Sequence, residues 1–274
     1  MDADSDKKRD MKALFNRTAP VYGRTGPNVF AHFGERLVEL AGIAPGSTVL
    51  DVGTGRGAVL FPAARRAGLQ GRIIGIDLAE GMLRETAREI SDGAWRNVEL
   101  REMDAETLDF PDASFDYVLC GLSLWFFPRP HTALKEFFRV LKADGKVALS
   151  TWEKESPFPG WHVRMLRQYL PPEVAQAPQP SRFETRDELE AALTRAGFRP
   201  LRFVSESKVF VYRDDELWWE SLWSHGMRRF LEKMDDATLR TVKTDLLDKV
   251  SVFRESDGVH TRFGTLNAVA EKPR

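Results

Sequence analysis

Val49-Leu50-Asp51-Val52-Gly53-Thr54-Gly55-Arg56-Gly57 is an apolar run that ends in three alternating glycines. Val49, Leu50 and Val52 suit a short parallel strand covered on both faces. Gly53, Gly55 and Gly57 let the backbone take positive φ and pass close to a ligand. A helix of about Ala58 to Ala67 follows, so its N-terminal amides and positive dipole end face the space above the turn. The next apolar run, Arg72 to Ile76, is followed at once by Asp77, at the edge where open α/β sheets bind ligands. A carboxylate there can accept both hydroxyls of a ribose.

On either side of this turn the pattern is regular. Upstream, Met11 to Arg17 predicts a short helix after a fraying polar start. Thr18-Ala19-Pro20-Val21-Tyr22-Gly23 ends it as a lid-like segment, and Val29, Phe30, Phe33, Leu37, Leu40 and Ala41 recur at helical spacing over about Asn28 to Ala41. Downstream, strands are expected at Val98 to Arg101, Phe115 to Cys120 and Lys146 to Thr151. Met82, Leu83, Ala87 and Ile90 mark one intervening helix, and Leu134, Phe137, Phe138 and Leu141 mark another. Strand alternating with helix argues for a doubly wound, mostly parallel Rossmann-like sheet, expected to reach seven strands. Beyond Thr151 prolines at 157, 159, 171, 172, 178 and 180 break the rhythm around one helix near Trp161 to Leu170. Then come a helix over Arg186 to Ala196, an alternating run from Phe198 to Tyr212, helical stretches at about Asp214 to Lys233 and Asp236 to Val250, and a last strand from Arg262 to Ala270. The organisation expected is a single domain over 1–274: a core of about 43–151 plus 186–213 and 259–271, an N-terminal lid of about 7–41, and helical cap insertions of about 152–185 and 214–258.

With 274 residues, 42% of them hydrophobic, the chain can bury a sizeable core. Forty basic and 41 acidic residues give a net charge of −1 with no long basic stripe, which argues against nucleic acid as a partner. One cysteine, Cys120, cannot form an intramolecular disulfide and fits a reducing cytoplasm. Neither a signal peptide nor an apolar run of the roughly 18 residues needed to span a bilayer is present, so no stable membrane insertion is expected. No His, Cys or Asp cluster has metal-ligand spacing, so no metal is expected.

Taken alone, Gly53-x-Gly55-x-x-Ala58 also meets the loose dinucleotide fingerprint, and each glycine could be an ordinary turn. The longer stretch with Asp77, however, resembles the first two motifs of class I S-adenosylmethionine-dependent methyltransferases. Met103-Asp104-Ala105-Glu106, Phe110 to Asp116 and Ala133 to Lys142 resemble later motifs of the branch that includes ubiquinone and menaquinone methyltransferases, and Phe15 to Tyr22 resembles that branch's N-terminal signature. Two departures stand out: Lys142-Ala143-Asp144-Gly145 replaces the usual Lys-Pro-Gly-Gly, and no amino-group-handling motif follows the fourth strand, which argues against methylation of nucleobase amines. The resemblance implies S-adenosyl-L-methionine as cofactor. It implies that Gly53, Thr54 and Gly55 approach the methionyl part, Asp51 helps hold the amino group, and Asp77 takes the ribose hydroxyls. Leu78 and Met82 would pack near the adenine, Asp104 and the Ala105 amide would read its polar edge, Gly121 would lie near the amino acid end, and Tyr22 would close the pocket.

Methyl transfer from a sulfonium needs a base only for some acceptors; His162, His225 and Glu153 are the candidates. Six of the seven tryptophans fall after the fourth strand, which points to a small planar or hydrophobic acceptor methylated at O, N or C, with Trp161 and Trp223 expected to contact it. The alternatives are a protein that keeps S-adenosylmethionine while its cap does other chemistry or binds a partner, and a nicotinamide oxidoreductase.

Overall fold

The computed structural model describes residues 3–93, 95–154, 156, 158, 160–172 and 183–274. Prolines 157, 159, 178 and 180 lie outside them. The first helix, α1 (Ala3–Thr18), is longer than the Met11 to Arg17 expected, and α2 is Val29–Ala41. The helix begins at Ala3, and farther along it Lys8 reaches Asp104 and Glu106 (both 2.6 Å) and Lys12 reaches Glu80 (2.8 Å) and Glu102 (2.5 Å). The βα alternation then runs β1 (Thr48–Val52), α3 (Leu60–Ala67), β2 (Arg72–Asp77), α4 (Glu80–Asp92), β3 (Val98–Glu102), β4 (Phe115–Gly121), α5 (Pro130–Val140) and β5 (Leu141–Trp152). α3 begins two residues later than expected, since Gly55 to Val59 stay in the turn.

The sheet order is β3-β2-β1-β4-β5-β8-β6, with β6 at Arg199–Tyr212 and β8 at Gly258–Glu271. β1 to β5 are parallel, whereas β8 runs antiparallel to both β5 and β6. Beside the seven strands of this path, a two-residue strand, β7 (Arg254–Glu255), pairs with the start of β8. Adjacent residues of β1 serve opposite faces: Leu50 packs with α5 and with α7 (Arg186–Arg195), while Val49 packs with α2 and α3. That is why the strands read as continuous apolar runs.

A second apolar cluster stands at the carboxyl edge of the sheet. β8 pairs with β5 only from Thr265 onward, so residues 258–264 extend past the end of β5 alongside the last residues of β6. On this extension sit α6 (Gly160–Arg167), α8 (Asp215–Ser221), α9 (Arg228–Leu231) and α10 (Asp236–Val250). Their contacts bury Phe158, Leu166, Trp218, Leu222, Leu246 and Phe263. The helical stretch expected over 214–233 is interrupted at His225-Gly226, where the backbone of His225 turns extended.

Candidate active site

The glycine turn is held from below by the neighbouring strand: the amides of Gly53 and Thr54 both donate to the Ile76 carbonyl, each at 2.9 Å. Gly53, Gly55 and Gly57 all take positive φ (69°, 50° and 79°). A Cβ on Gly53 would lie 2.6 Å from the Ser123 hydroxyl, and one on Gly121 would lie 2.6 Å from Val59. At Gly55 an added Cβ would meet nothing nearer than 3.9 Å, so that position faces open space. Asp77 braces the turn, accepting from Gly55 N with one oxygen and from Ala79 N with the other, both at 2.9 Å.

These residues line a cleft of about 810 Å³ that gathers Tyr22, Gly53, Gly55, Asp77, Leu78, Met82, Asp104, Ala105 and Gly121. Asp51 and Thr54 border an adjoining recess of about 850 Å³, which shares Tyr22, Gly53, Gly55 and Gly121 with the cleft. The residues expected around a cofactor are thus brought together. Asp51 is 1% exposed; Thr54 donates to its Oδ2 at 2.6 Å, while Oδ1 is buried with no partner. Desolvation, partly offset by the Thr54 hydrogen bond and reinforced by Asp77, pushes the Asp51 carboxyl up to about 7. Burial also raises Asp77. Two desolvated carboxyls, Asp77 on the cleft and Asp51 on the adjoining recess, favour a ligand that brings positive charge.

Sequence reasoning missed the cleft's upper wall. Lys8, Met11, Lys12 and Phe15 of α1 all border it. Their i, i+3, i+4, i+7 spacing was the available signal. Asp104 differs from expectation in being engaged already, with Oδ1 accepting from Glu106 N (2.9 Å) and Oδ2 from Lys8 (2.6 Å). Leu122 was also missed: its φ of +51° is unusual for a leucine, and its amide donates to the Ser150 carbonyl (3.0 Å) and hydroxyl (3.1 Å). No sequence pattern announces such a residue.

A third cavity, about 850 Å³, opens under the cap and is bordered by Phe30, Trp125, Phe126, Trp152, Tyr212, His225 and Phe263, among others. Of the three acid–base candidates, His225 alone borders it. Burial holds the His225 imidazole down to about 4, so it is neutral at pH 7. His162 is instead sealed among Phe158, Trp161 and Trp218, with both ring nitrogens unpartnered; burial there drives its affinity for protons well below the ordinary range. Glu153 borders none of the three cavities; its carboxylate lies beside Gly264. Trp161 and Trp223 are likewise absent from the cavity wall and pack in the cap cluster, whereas Trp125 and Trp152 face the space. Glu255, Asp257 and His260 do come together, against the expectation from spacing, but as an exposed grouping on the β7–β8 turn in which His260 pairs with Asp257 at 2.6 Å. It borders none of these cavities.

Residues 50–149 match the family model described as a methyltransferase domain. Over 247 residues the chain is 32% identical to the nocamycin O-methyltransferase of Saccharothrix syringae, covering 85% of this chain and 88% of that one. The chain belongs to the class I S-adenosylmethionine-dependent methyltransferases. It is also 40% identical over 148 residues to the aklanonic acid methyltransferase of Streptomyces sp. (strain C5), which covers 54% of this chain and 67% of that protein. A solved SAM-dependent methyltransferase from Aquifex aeolicus shares the fold with a TM-score of 0.55 at 19% identity, over 90% of this chain and 94% of that one. As a methyltransferase of this family the chain uses S-adenosylmethionine and acts on a small metabolite, which sets aside the nicotinamide reading. No described helix is long and apolar enough to cross a membrane.

Proposed function

We propose that the strand-end cleft and its recess hold S-adenosylmethionine, that the cap cavity holds a planar or hydrophobic acceptor, and that methyl transfer occurs where they meet. The observation that carries this reading is a shared wall: Tyr22 and Leu122 border all three cavities, and Phe126 borders both the cleft and the cap cavity. The cofactor supplies an activated methyl group on a sulfonium, so what the protein adds is binding, alignment and exclusion of water.

The donor set fits such a ligand. Asp51, on the wall of the recess, accepts from the amino group, and the Thr54 hydroxyl holds its carboxylate in place. Asp77 retains lone pairs for the ribose hydroxyls while it fixes the Gly55 amide. Open space at Gly55 leaves room for the methionyl chain, which the Gly121 backbone flanks. Leu78 and Met82 enclose the adenine from one side, with the Ala105 amide and Asp104 at its polar edge. Tyr22, stacked on Phe30 with ring centroids 5.0 Å apart, closes the junction. Burial, aided by Asp77, holds its phenol protonated, so Tyr22 shapes the space without acting as a base.

In this reading the chain works as one methyltransferase domain with the core, lid and caps set out above, α1 forming part of the lid. The acceptor is a compact metabolite and not a nucleic acid, because the net charge of −1 offers a polyanion no long-range attraction and the cap cavity is walled mainly by aromatic and apolar groups. A reducing cytoplasm suits the lone buried Cys120. The test is an acceptor screen with methyl-labelled cofactor, in which planar aromatic acceptors are expected to become labelled as S-adenosylhomocysteine accumulates. Salt-sensitive labelling of RNA with none on any small acceptor would overturn the reading.

A further inference from the structure

We propose that His225 meets the acceptor as a hydrogen-bond donor, giving its Nε2–H to an uncharged oxygen, and so sets how the acceptor lies in the cap cavity. The inference rests on the reading that this cavity is the acceptor site. His225 stands where the helical run of the cap breaks: Leu222–Ser224 forms one short helical turn, and His225 itself is extended, with φ −153° and ψ −167°. At that break it joins the wall of the cavity. Two contacts hold it there. The carbonyl of the preceding Ser224 accepts from the Gly23 amide at 3.3 Å, and the His225 ring meets Phe30 in a T-shaped contact with centroids 6.3 Å apart.

The tautomer of the ring follows from its other nitrogen. The Met227 amide donates to Nδ1 at 3.4 Å, so in the neutral imidazole Nδ1 supplies the lone pair and Nε2 carries the proton. Burial keeps the ring neutral at pH 7 by holding it down to about 4. Both nitrogens of His162 are sealed off without partners, whereas Nε2 of His225 is not sealed and has no hydrogen-bond partner among the described residues. The wall brings it no carboxylate, since no aspartate or glutamate among the described residues borders the cavity. The nearby hydroxyls of Ser221 and Ser224 are turned to the Trp218 and Ser221 carbonyls, both at 2.7 Å. A donor on an aromatic wall is satisfied when the ligand brings a lone pair, and left bare it costs about 1–3 kcal/mol. An acceptor that offers only C–H at this point leaves it bare. The same tautomer takes His225 out of acid–base work, because a base needs the Nε2 lone pair and here the proton occupies it.

The experiment uses the full-length enzyme saturated with S-adenosylhomocysteine and two probes, fluorenone and fluorene, planar tricycles that differ by one carbonyl oxygen. Fluorenone is expected to bind about tenfold tighter than fluorene in calorimetric titration, as one hydrogen bond to a buried donor gives. Its infrared carbonyl band should move to lower wavenumber on binding. His225→Phe should bind both probes about equally and leave the band where it lies in an aprotic solvent. His225→Gln, whose amide nitrogen reaches toward the Nε2 position, should recover part of the affinity and of the band shift; the shorter His225→Asn should recover neither. Fluorenone bound with an unshifted band and no advantage over fluorene would overturn the donor role and leave the cap-cavity reading standing. A band shift that survives in His225→Phe would assign the bond to another group. Should that variant fail to fold, the Gln and Asn variants read the same contrast, and equal behaviour of the two would overturn the Nε2 assignment. Failure of the wild-type enzyme to bind either probe would count against the cap-cavity reading, and against this inference with it.

Discussion

The cofactor cleft and the cap cavity adjoin, yet they are built by different means. Strand ends, a glycine backbone and carboxylates braced by amides wall the first; side chains delivered by the 22–30 loop, the turn after β4, the extended ends of β6 and β8 and the cap helices wall the second. The geometry of the cleft is therefore fixed by parallel-sheet hydrogen bonding, which tolerates few changes. That of the cavity is fixed by packing, which can be rebuilt for another acceptor without disturbing the sheet. A fold divided this way keeps one reaction and varies what receives the methyl group.

The sharpest way to break this contrast is Gly55→Val. A branched side chain there must adopt a φ of 50° and occupies the open space above the turn, so cofactor binding should fall by more than about 100-fold while the far-ultraviolet circular dichroism keeps its shape. Calorimetry showing near-normal affinity would mean that the ligand lies elsewhere. Asp77→Ala comes next, with a loss of roughly ten- to a hundred-fold in cofactor affinity from charge-assisted bonds worth about 1.5–3 kcal/mol.

On the wall of the cap cavity, Trp125→Ala should raise acceptor KM about tenfold, some 1.4 kcal/mol, and leave cofactor affinity alone. Trp218→Ala, at a side chain only 1% exposed, should instead cost about 3–5 kcal/mol of stability in urea titrations. Equal effects of the two on KM would erase the distinction between cavity wall and cap core.

A pH effect of a few-fold belongs to the cleft alone. Asp51, raised to about 7 without ligand, must be ionised to accept an ammonium, so cofactor affinity should rise as pH increases through 7 and binding should release a proton. For the empty enzyme the sign is opposite. The folded state holds that proton between the ordinary carboxyl value of 3.8 and about 7, so the Asp51 contribution to stability should decline across that window and level off above it. Calorimetry in buffers of different ionisation enthalpy reads the proton directly, and Asp51→Asn should abolish its release. Smallest of all, Lys8→Met should loosen the lid by up to about 1 kcal/mol, seen as faster amide exchange across α1.

The two regions were also unequally legible. The strand preceding the glycine turn, the placement of Asp77 and the span of α10 could be read because backbone geometry imposes residue types on them: apolar runs, glycine at positive φ, and Asp235 capping the Thr238 amide at 2.7 Å. The face of α1 was readable in principle from Lys8, Met11, Lys12 and Phe15. Cavity-lining and core-filling aromatics, by contrast, carry the same sequence signal. Trp161 and Trp125 could not be told apart until packing placed one in the cap cluster and the other on the cavity wall. His162 and Glu153 lie off the described cavities for the same reason, since exposure to the reacting space is a property of the assembled cap. Leu122 has no sequence signature at all.

The most direct test of the shared-wall account is a crystal structure of the enzyme with S-adenosylhomocysteine and a planar aromatic acceptor bound together. The account predicts the cofactor sulfur at the junction of Tyr22, Leu122 and Phe126, the adenine beside Met82, and the acceptor in the cap cavity with its ring among Trp125 and Trp152. An acceptor bound outside the cap cavity, or a cofactor sulfur turned away from that junction, would contradict it.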